Sequence, residues 1–533
     1  MLVAPTHAPT LAAAPATGRR RRKRVLLLVL DGMRPGSISA ATTPTLARLA
    51  ERGVTFTRSR TGFPSETMVG AGELFSGAWP ERNGITSNWM IAPGQDREGI
   101  ELKSLKGIDE MARSYRGRAL TSTSVFQALA SAGLTSAIIG KEGPAELAWR
   151  AGATWAVSSG GSHEDARARG IGTQRGAAPL AQLVADAAGP APESGKEDDS
   201  ARSEWLAKVA GAVDAKLAPD LLAVWLTDPD KTQHGHGLDT DNQLSALRKA
   251  DAAVGALLTQ LASRGELDDL DIVITSDHGF SEHLTGVERD LDATLQAAGL
   301  DVSHVVPSGN SHLVRFTNPP TARDLARLRA VIASSPFAGD VATVIVNPRR
   351  VRGRDSRHDA RLTGRDLRLG STRAADVLVV YRREDAGAPT GENGRRRRRG
   401  ASLPARAGTM VAGHGSLGWS DLNNTLVVSG PSFERALPGA APLRTRNAAG
   451  IVDVAPTILQ LLGAPVPRSM QGRVLREALA ELGGVGNGTV EHVRSSRNVA
   501  IADVILGSRT IRTELETEHA GGVDYHVALR TSG

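Results

Sequence analysis

Asp271-Ile272-Val273-Ile274-Thr275-Ser276-Asp277-His278-Gly279-Phe280 is an apolar run that breaks abruptly into polar residues. A short apolar run bounded in this way reads as a buried parallel strand, and in an open α/β sheet the working residues sit just past the carboxyl end of such a strand. Asp277 and His278 fall at that place. Once the chain leaves the extended conformation, the alternation that would point the two side chains apart is lost, so a carboxylate and an imidazole can turn toward one cation. Taken alone, the same residues make a capped turn, and the rest of the chain decides between the readings.

Outward from this stretch, the pattern recurs. Val25-Leu26-Leu27-Leu28-Val29-Leu30 is a second fully apolar strand, ending in Asp31-Gly32. Leu221 to Leu226 is a third, running into Pro229-Asp230-Lys231-Thr232-Gln233-His234. Asp230 and His234 are one helical turn apart, a spacing that puts both on one face. Ser136 to Gly140 is a further strand followed by Lys141, where a solvated lysine is expected and a ligand contact is the alternative. Helices alternate with these strands. Thr43-Pro44 opens one with a capping Thr and a proline in its first turn, and Gly53 ends it; Ser124 to Ala132, Asn242 to Leu261 and Asp453 to Leu462 have helical apolar spacing. Met68 to Phe75 continues as a helix closed near Gly77, with Thr67 at its N-terminus, where free N–H groups favour an anion and where a plain N-cap is the ordinary alternative. Asn88 sits in a loop, and His414 stands between Gly413 and Gly415.

Composition bounds the chemistry. The 533 residues include no cysteine, which excludes disulfides and thiolate metal sites, so any metal is held by His and carboxylate. The formal charge of +7 owes much to two runs, Arg19 to Arg24 and Arg395 to Arg399, read as a solvated arm and a solvated loop. Aromatics are only 3%, too few to interleave with the charge as single-strand binders do, so no stable nucleic-acid complex is expected. Val25 to Leu30 is too short to span a bilayer, and it reads better as a core strand than as part of a twin-arginine export signal. The expected location is cytoplasmic as the sequence is written, and export if the true N-terminus differs.

The expected organisation is a disordered basic arm at 1–24, a catalytic α/β domain at 25–280 and 408–482, an inserted α+β lobe at 281–407 with an Arg-rich loop around Gly387 to Ala401, and an appendix at 483–533. Gly189 to Ser203 reads as a flexible surface insertion.

Asp31, Thr67, Asn88, Asp230, His234, Asp277, His278 and His414, in this order, resemble the alkaline phosphatase superfamily and, within it, the nucleotide pyrophosphatase/phosphodiesterase family. The segments that carry the resemblance are Leu30-Asp31-Gly32, Phe63-Pro64-Ser65-Glu66-Thr67, Ser76 to Ile85, Pro229 to His234, Ser276 to Gly279 and Gly413-His414-Gly415. The resemblance implies a doubly wound, mostly parallel sheet and two zinc ions, with manganese as an alternative. It implies that Asp230, His234 and His414 hold one ion, while Asp31, Asp277, His278 and the Thr67 oxygen hold the other. Thr67 would then attack phosphorus and form a phosphothreonine, and Asn88 would hold the non-bridging oxygens. A neutral amide suits a singly charged diester, so the implied substrate is a small-molecule phosphodiester or nucleotide. Where the family usually has Phe-Pro-Asn-His after its Thr, this chain has Met68-Val69-Gly70-Ala71, which leaves nucleotide preference open. The alternatives are a phosphonoacetate-type C–P hydrolase using Lys141, a phosphomonoesterase, and a silent binding or scaffold protein on the same fold.

Overall fold

Residues 23–92, 99–160, 167–170, 177–195, 199–284, 289–352, 362–384, 401–405, 409–480 and 488–532 are described by the computed structural model. The basic arm and the Arg395 to Arg399 loop of the sequence reading lie essentially outside these residues.

The apolar runs become the middle of a nine-stranded sheet. From edge to edge its strands are Leu443–Gly450, Gly53–Arg60, Leu426–Ser429, Leu270–Thr275, Arg24–Leu30, Leu221–Leu226, Ser136–Gly140, Trp155–Ser158 and Arg167–Gly170. Leu426–Ser429 and Arg167–Gly170 are antiparallel to their neighbours, and the remaining strands share one direction. The register fixes where the site lies. Leu30 pairs with Leu226, Val29 with Thr275 and Gly140 with Trp225, so Asp31, Thr227, Ser276 and Lys141 leave the sheet at one edge.

Period-two alternation divides the core between the two faces. Val25, Leu27 and Val29 pack under the helices Thr67–Ser76, Val125–Ser131, Glu142–Arg150 and Val454–Leu461. Leu26, Leu28 and Leu30 pack under Pro44–Glu51, Ser200–Leu217 and Asp241–Ser263. These six side chains are at most 2% exposed, each contributing about 1.5–3 kcal/mol of burial. The first of these helices is not capped by Thr43, whose hydroxyl donates instead to Ser37. Asp251, from a different helix, takes the N–H groups of Thr45 and Leu46 at 3.0 and 2.9 Å. Ser200 to Ser203, assigned by composition to a flexible insertion, form the first turn of the helix Ser200–Leu217, and their burial explains why polarity alone misplaced them.

Between Leu270–Thr275 and Leu426–Ser429 the chain builds a four-stranded antiparallel sheet, ordered Val302–Ser308, Ser311–Phe316, Val377–Tyr381 and Val341–Val346, and covers it with the helices Leu291–Ala297 and Ala322–Ala333. Pro307 fits because its strand is an edge of that sheet. Short pairings of Ser281–His283 with Ala401–Ser402 and Ala412–Gly413 return the chain to the main sheet. The last element is a three-stranded antiparallel sheet, Ser495–Leu506, Arg509–Ala520 and Val523–Ser532. Among the described residues, no helix is long and apolar enough to cross a membrane.

Candidate active site

The strand ends converge on a buried cluster of carboxylates and imidazoles. Asp31, Asp277 and His278 are fully buried, and Asp230 and Thr67 are 6% and 5% exposed. Asp230 opens the helix Asp230–His236, and its N–H donates to the Asp31 carbonyl at 3.0 Å. His234 lies one turn later, and His414 follows the short strand Ala412–Gly413. Asp230 Oδ1 is 3.4 Å from His234 Nε2, 3.4 Å from His414 Nε2 and 3.9 Å from His278 Nε2. His278 Nε2 is also 3.3 Å from Asp277 Oδ2 and 3.7 Å from Asp31 Oδ1.

Each imidazole is oriented by the backbone. His234 Nδ1 faces the Ala412 carbonyl at 2.9 Å, His414 Nδ1 that of Ser65 at 2.8 Å, and His278 Nδ1 that of Gly279 at 2.9 Å. A carbonyl oxygen only accepts, so Nδ1 carries the proton and Nε2 presents its lone pair in all three rings, that of His278 facing the Thr67 hydroxyl at 3.4 Å. Asp31 Oδ1, Asp230 Oδ1 and Asp277 Oδ2 are buried without a hydrogen-bond partner. Three unprotonated imidazole nitrogens and three orphaned carboxylate oxygens in one cluster form a donor set of the kind that holds a divalent cation. Ligands at about 2 Å from a tetrahedral ion are separated by roughly 3.3 Å, the scale of the distances found here. The residues therefore fit a metal.

Two triads of these atoms close to within 4.8 Å: Asp230, His234 and His414, and Asp31, Asp230 and His278. The first is the set that the sequence resemblance implied. In the second, Asp230 stands between the two groups, and Asp277 approaches it through His278.

Electrostatics favour a bound cation. Burial, with Asp277 and Asp230 nearby, raises the Asp31 carboxyl well above its ordinary range, and burial pushes Asp277 up to about 7. Burial also lowers His278 to about 4 and His414 to about 3, which keeps both rings neutral. Lys141 supplies the cation the protein itself provides. Its ammonium is 3.0 Å from Asp31 Oδ2 and 3.4 Å from Asp230 Oδ2. The solvated lysine expected from the sequence is thus corrected. A residue one position past a strand in register with the metal-site strands points into the same cluster. Trp225 Nε1 also donates to Asp31 Oδ2, at 2.8 Å.

Thr67 is the first residue of the helix Thr67–Ser76, with its Oγ1 3.4 Å from His278 Nε2. The helix can lie against the metal-site loop because residue 70 is glycine: a Cβ there would meet the Asp277 carbonyl oxygen at 2.8 Å. The Met68 N–H donates to Asn88 Oδ1 at 2.9 Å, so the amide is turned with its oxygen toward the helix and its Nδ2 hydrogens away from it. Glu66, to which sequence reasoning gave no role, holds this corner together. Its carboxylate accepts from the Asn88 N–H, the Ser87 hydroxyl and the Ser308 hydroxyl. An acidic residue beside Thr67, within a segment otherwise free of charge, was the one signal available.

The family profile described as type I phosphodiesterase / nucleotide pyrophosphatase matches residues 25–420. Mouse ectonucleotide pyrophosphatase/phosphodiesterase family member 1 is 24% identical over 259 residues, which cover 48% of this chain and 24% of that protein. Human family member 7 is 34% identical over 62 residues, 12% of this chain and 14% of that protein. The matched regions thus span less than two thirds of these relatives' own lengths. Among solved structures, mouse ectonucleotide pyrophosphatase/phosphodiesterase 5, in an inactive threonine-to-alanine form with AMP, superposes with a TM-score of 0.57 at 15% identity, covering 86% of this chain and 100% of that one. The human protein of the same name gives 0.57 at 16% identity, again with 86% and 100% coverage. At such identities the likeness is one of fold.

Proposed function

The chain belongs to the type I phosphodiesterase / nucleotide pyrophosphatase family of the alkaline phosphatase superfamily, and from that premise we propose that it is a metal-dependent hydrolase of phosphate diesters with Thr67 as its nucleophile. The observation that carries the reading is the set of three imidazoles held with Nε2 unprotonated beside three unpartnered carboxylate oxygens. Asp230, His234 and His414 would hold one divalent ion, and Asp31, Asp277, His278 and the Thr67 oxygen a second. Zinc suits this all-oxygen-and-imidazole set, and manganese is tolerated by it. When bound, such ions supply Lewis acidity toward phosphoryl oxygens and lower the pKa of a coordinated hydroxyl.

The side chains account for the rest. Thr67 Oγ1 attacks phosphorus in line, its P–O bond forms as the bond to the leaving oxygen breaks, and water then cleaves the phosphothreonine to return the free hydroxyl. The Asn88 Nδ2 hydrogens and the Thr67 N–H at the start of its helix meet the non-bridging oxygens as charge develops on them. Lys141 favours the anionic forms of Asp31 and Asp230 and orients both. An inactive threonine-to-alanine form of a structural neighbour, holding AMP, is consistent with this assignment.

One observation favours a second reading: Lys141 lies among the site carboxylates instead of in solvent, as a C–P hydrolase of phosphonoacetate type would use it for the substrate carboxylate. The test is turnover by the zinc-loaded protein of a nitrophenyl nucleotide diester, nitrophenyl phosphate and phosphonoacetate, each repeated with Thr67→Ala. A diester rate above the other two and lost in the variant is expected. Preference for phosphonoacetate moves the enzyme to the second reading, and a rate that survives Thr67→Ala removes the nucleophile.

A further inference from the structure

The C-terminal sheet has two unlike edges. Val523–Ser532, on one side, is set into the rest of the molecule: Val523, Tyr525, Val527 and Leu529 are at most 5% exposed, and the Leu529 N–H donates to the Leu417 carbonyl at 3.0 Å. Ser495–Leu506, on the other, pairs with Arg509–Ala520 and with no further strand among the described residues. Its second half is anchored, with Ala502, Val504 and Leu506 packed against the inserted lobe. Ser495 to Ile501, in contrast, are all exposed although they lie within a strand.

An unpaired strand edge is a template for another strand, and proteins ordinarily blunt it with proline, a bulge or lysines. This edge has none of them. The strand contains no proline, glycine or lysine, and its register with Arg509–Ala520 runs unbroken through all 12 residues, roughly 40 Å of edge. Side chains alternate along it, so Arg497, Val499, Ile501, Asp503 and Ile505 share the outer face. Val499, Ile501 and Ile505 are 52%, 48% and 54% exposed. Asp503 makes no hydrogen bond or ion pair among the described residues, and Arg497 remains half-exposed while its Nη1 lies 2.7 Å from Glu516.

The two charges select an occupant. When two copies of this strand pair antiparallel about a two-fold axis at Ala500, Val499 faces the partner's Ile501 and Arg497 faces the partner's Asp503, each pair occurring twice. Moving the axis by one residue sets Val499 against Asp503 or Arg497 against Ile501, so only one register matches charge with charge and apolar with apolar. That register puts the apolar side chains at the centre and the ion pairs at the rim, as specific interfaces do. We propose that Ser495–Leu506 is a dimerisation edge, on which a second copy of this chain pairs antiparallel about Ala500 and joins the two C-terminal sheets into one. A two-fold contact uses the same edge on both copies, and the other edge is set into the core, so the assembly closes at two chains. The proposal is independent of the reaction that the active site performs.

The test is sedimentation velocity of the full chain across micromolar concentrations, where a monomer–dimer equilibrium is expected, the larger species having twice the 55.9 kDa of one chain. Arg497→Asp sets carboxylate against carboxylate at both ends of the pairing, and Asp503→Arg sets guanidinium against guanidinium. Each variant alone should dimerise about tenfold more weakly or worse, because symmetry applies the change twice. Mixed together, the two single variants complement each other at both positions and should form a heterodimer as tight as the parent dimer; the double variant should recover the homodimer. Ile501→Lys is a second disruption, at the apolar centre, that leaves both charges in place. All three positions are exposed, so the melting temperatures of the monomeric variants should stay close to that of the parent. A parent chain that remains monomeric at high micromolar concentration overturns the proposal. So does a dimer indifferent to the single reversals, a mixture that fails to restore pairing, or assembly that continues beyond two chains.

Discussion

Glu66 Oε2 accepts the backbone N–H of Asn88 at 2.6 Å, and Asn88 Oδ1 in turn accepts the N–H of Met68 at 2.9 Å. The residues on either side of Thr67 are thereby tied to the amide expected to meet the substrate, in a ring that fixes nucleophile and amide relative to each other. Glu66→Ala leaves the Asn88 N–H unpaired in a buried place and leaves the Ser87 and Ser308 hydroxyls with each other but without the carboxylate, at a cost of about 1–3 kcal/mol of stability. Diester kcat should fall by roughly 10²-fold, the effect of a displacement near 1 Å. Glu66→Gln, which keeps one acceptor, should recover much of both. Denaturant titration and steady-state kinetics of the two variants check this, and a Glu66→Ala enzyme with unaltered kcat would show that the ring does not position the site.

Metal should stabilise the fold as well as serve the reaction. A cation that binds only the folded chain adds about 2.7 kcal/mol at a free concentration one hundred times its dissociation constant. Zinc should therefore raise the melting temperature of chelator-treated protein. His414→Ala, which deletes a donor of the triad with Asp230 and His234, should shrink that rise and lower the metal content per chain. Scanning fluorimetry and elemental analysis read both effects, and an undiminished rise in the variant would remove His414 from the ligand set.

Glu73 gives stability a pH dependence of definite sign. Burial raises its carboxyl from 4.5 to about 8, against opposing hydrogen bonds from the Gly62 N–H and the Thr61 hydroxyl. The folded chain thus holds a proton that the unfolded chain gives up. The stability associated with that proton is fully present below about pH 4.5 and is lost as the pH rises through 8. Glu73→Gln should flatten this part of the profile, so the melting-temperature difference between the variant and the parent should grow in favour of the variant from pH 5 toward pH 8.5. A difference constant across that window would contradict the shift.

Tyr525 couples the C-terminal sheet to the catalytic core. Its hydroxyl donates to Asp453 Oδ2 at 2.8 Å and accepts from Arg473 Nε at 3.3 Å, and its ring packs edge-on against Trp79. Tyr525→Phe should cost about 1–2 kcal/mol, because a buried carboxylate loses a donor while keeping the Gly450 and Arg473 N–H groups. The diester kcat/KM should be unchanged, since Tyr525 touches none of the site residues. Chemical denaturation combined with kinetics distinguishes this from a catalytic effect.

Much of the architecture was legible because buried parallel strands are written as unbroken apolar runs, and because each run stops at the residue the site needs. Asp31, Asp230, Asp277 and His278 could be read in that way. Lys141 was misjudged because a lysine past a strand looks solvated until the register with Leu221–Leu226 shows which neighbours it meets. The Glu66 ring was invisible for a related reason: its partners lie 22 and 242 residues away, and no local pattern announces them. The three C-terminal strands are mostly polar, with one exposed face and few apolar runs, so periodicity gave little to read. The capping of Pro44–Glu51 by Asp251 is again a tertiary substitute for the local Thr signal.

His414 and the reversed strand Leu426–Ser429 are the last parts of the site to be made, whereas Asp31 is among the first. Leu426–Ser429 fits between Gly53–Arg60 and Leu270–Thr275, two strands that precede it by hundreds of residues or by the whole inserted lobe. During synthesis, therefore, Gly53–Arg60 has neither of its sheet neighbours until the returning chain supplies Leu426–Ser429 and Leu443–Gly450. Lys141, the cation that faces Asp31 and Asp230, is thus synthesised long before His414, without which the triad of Asp230, His234 and His414 is incomplete.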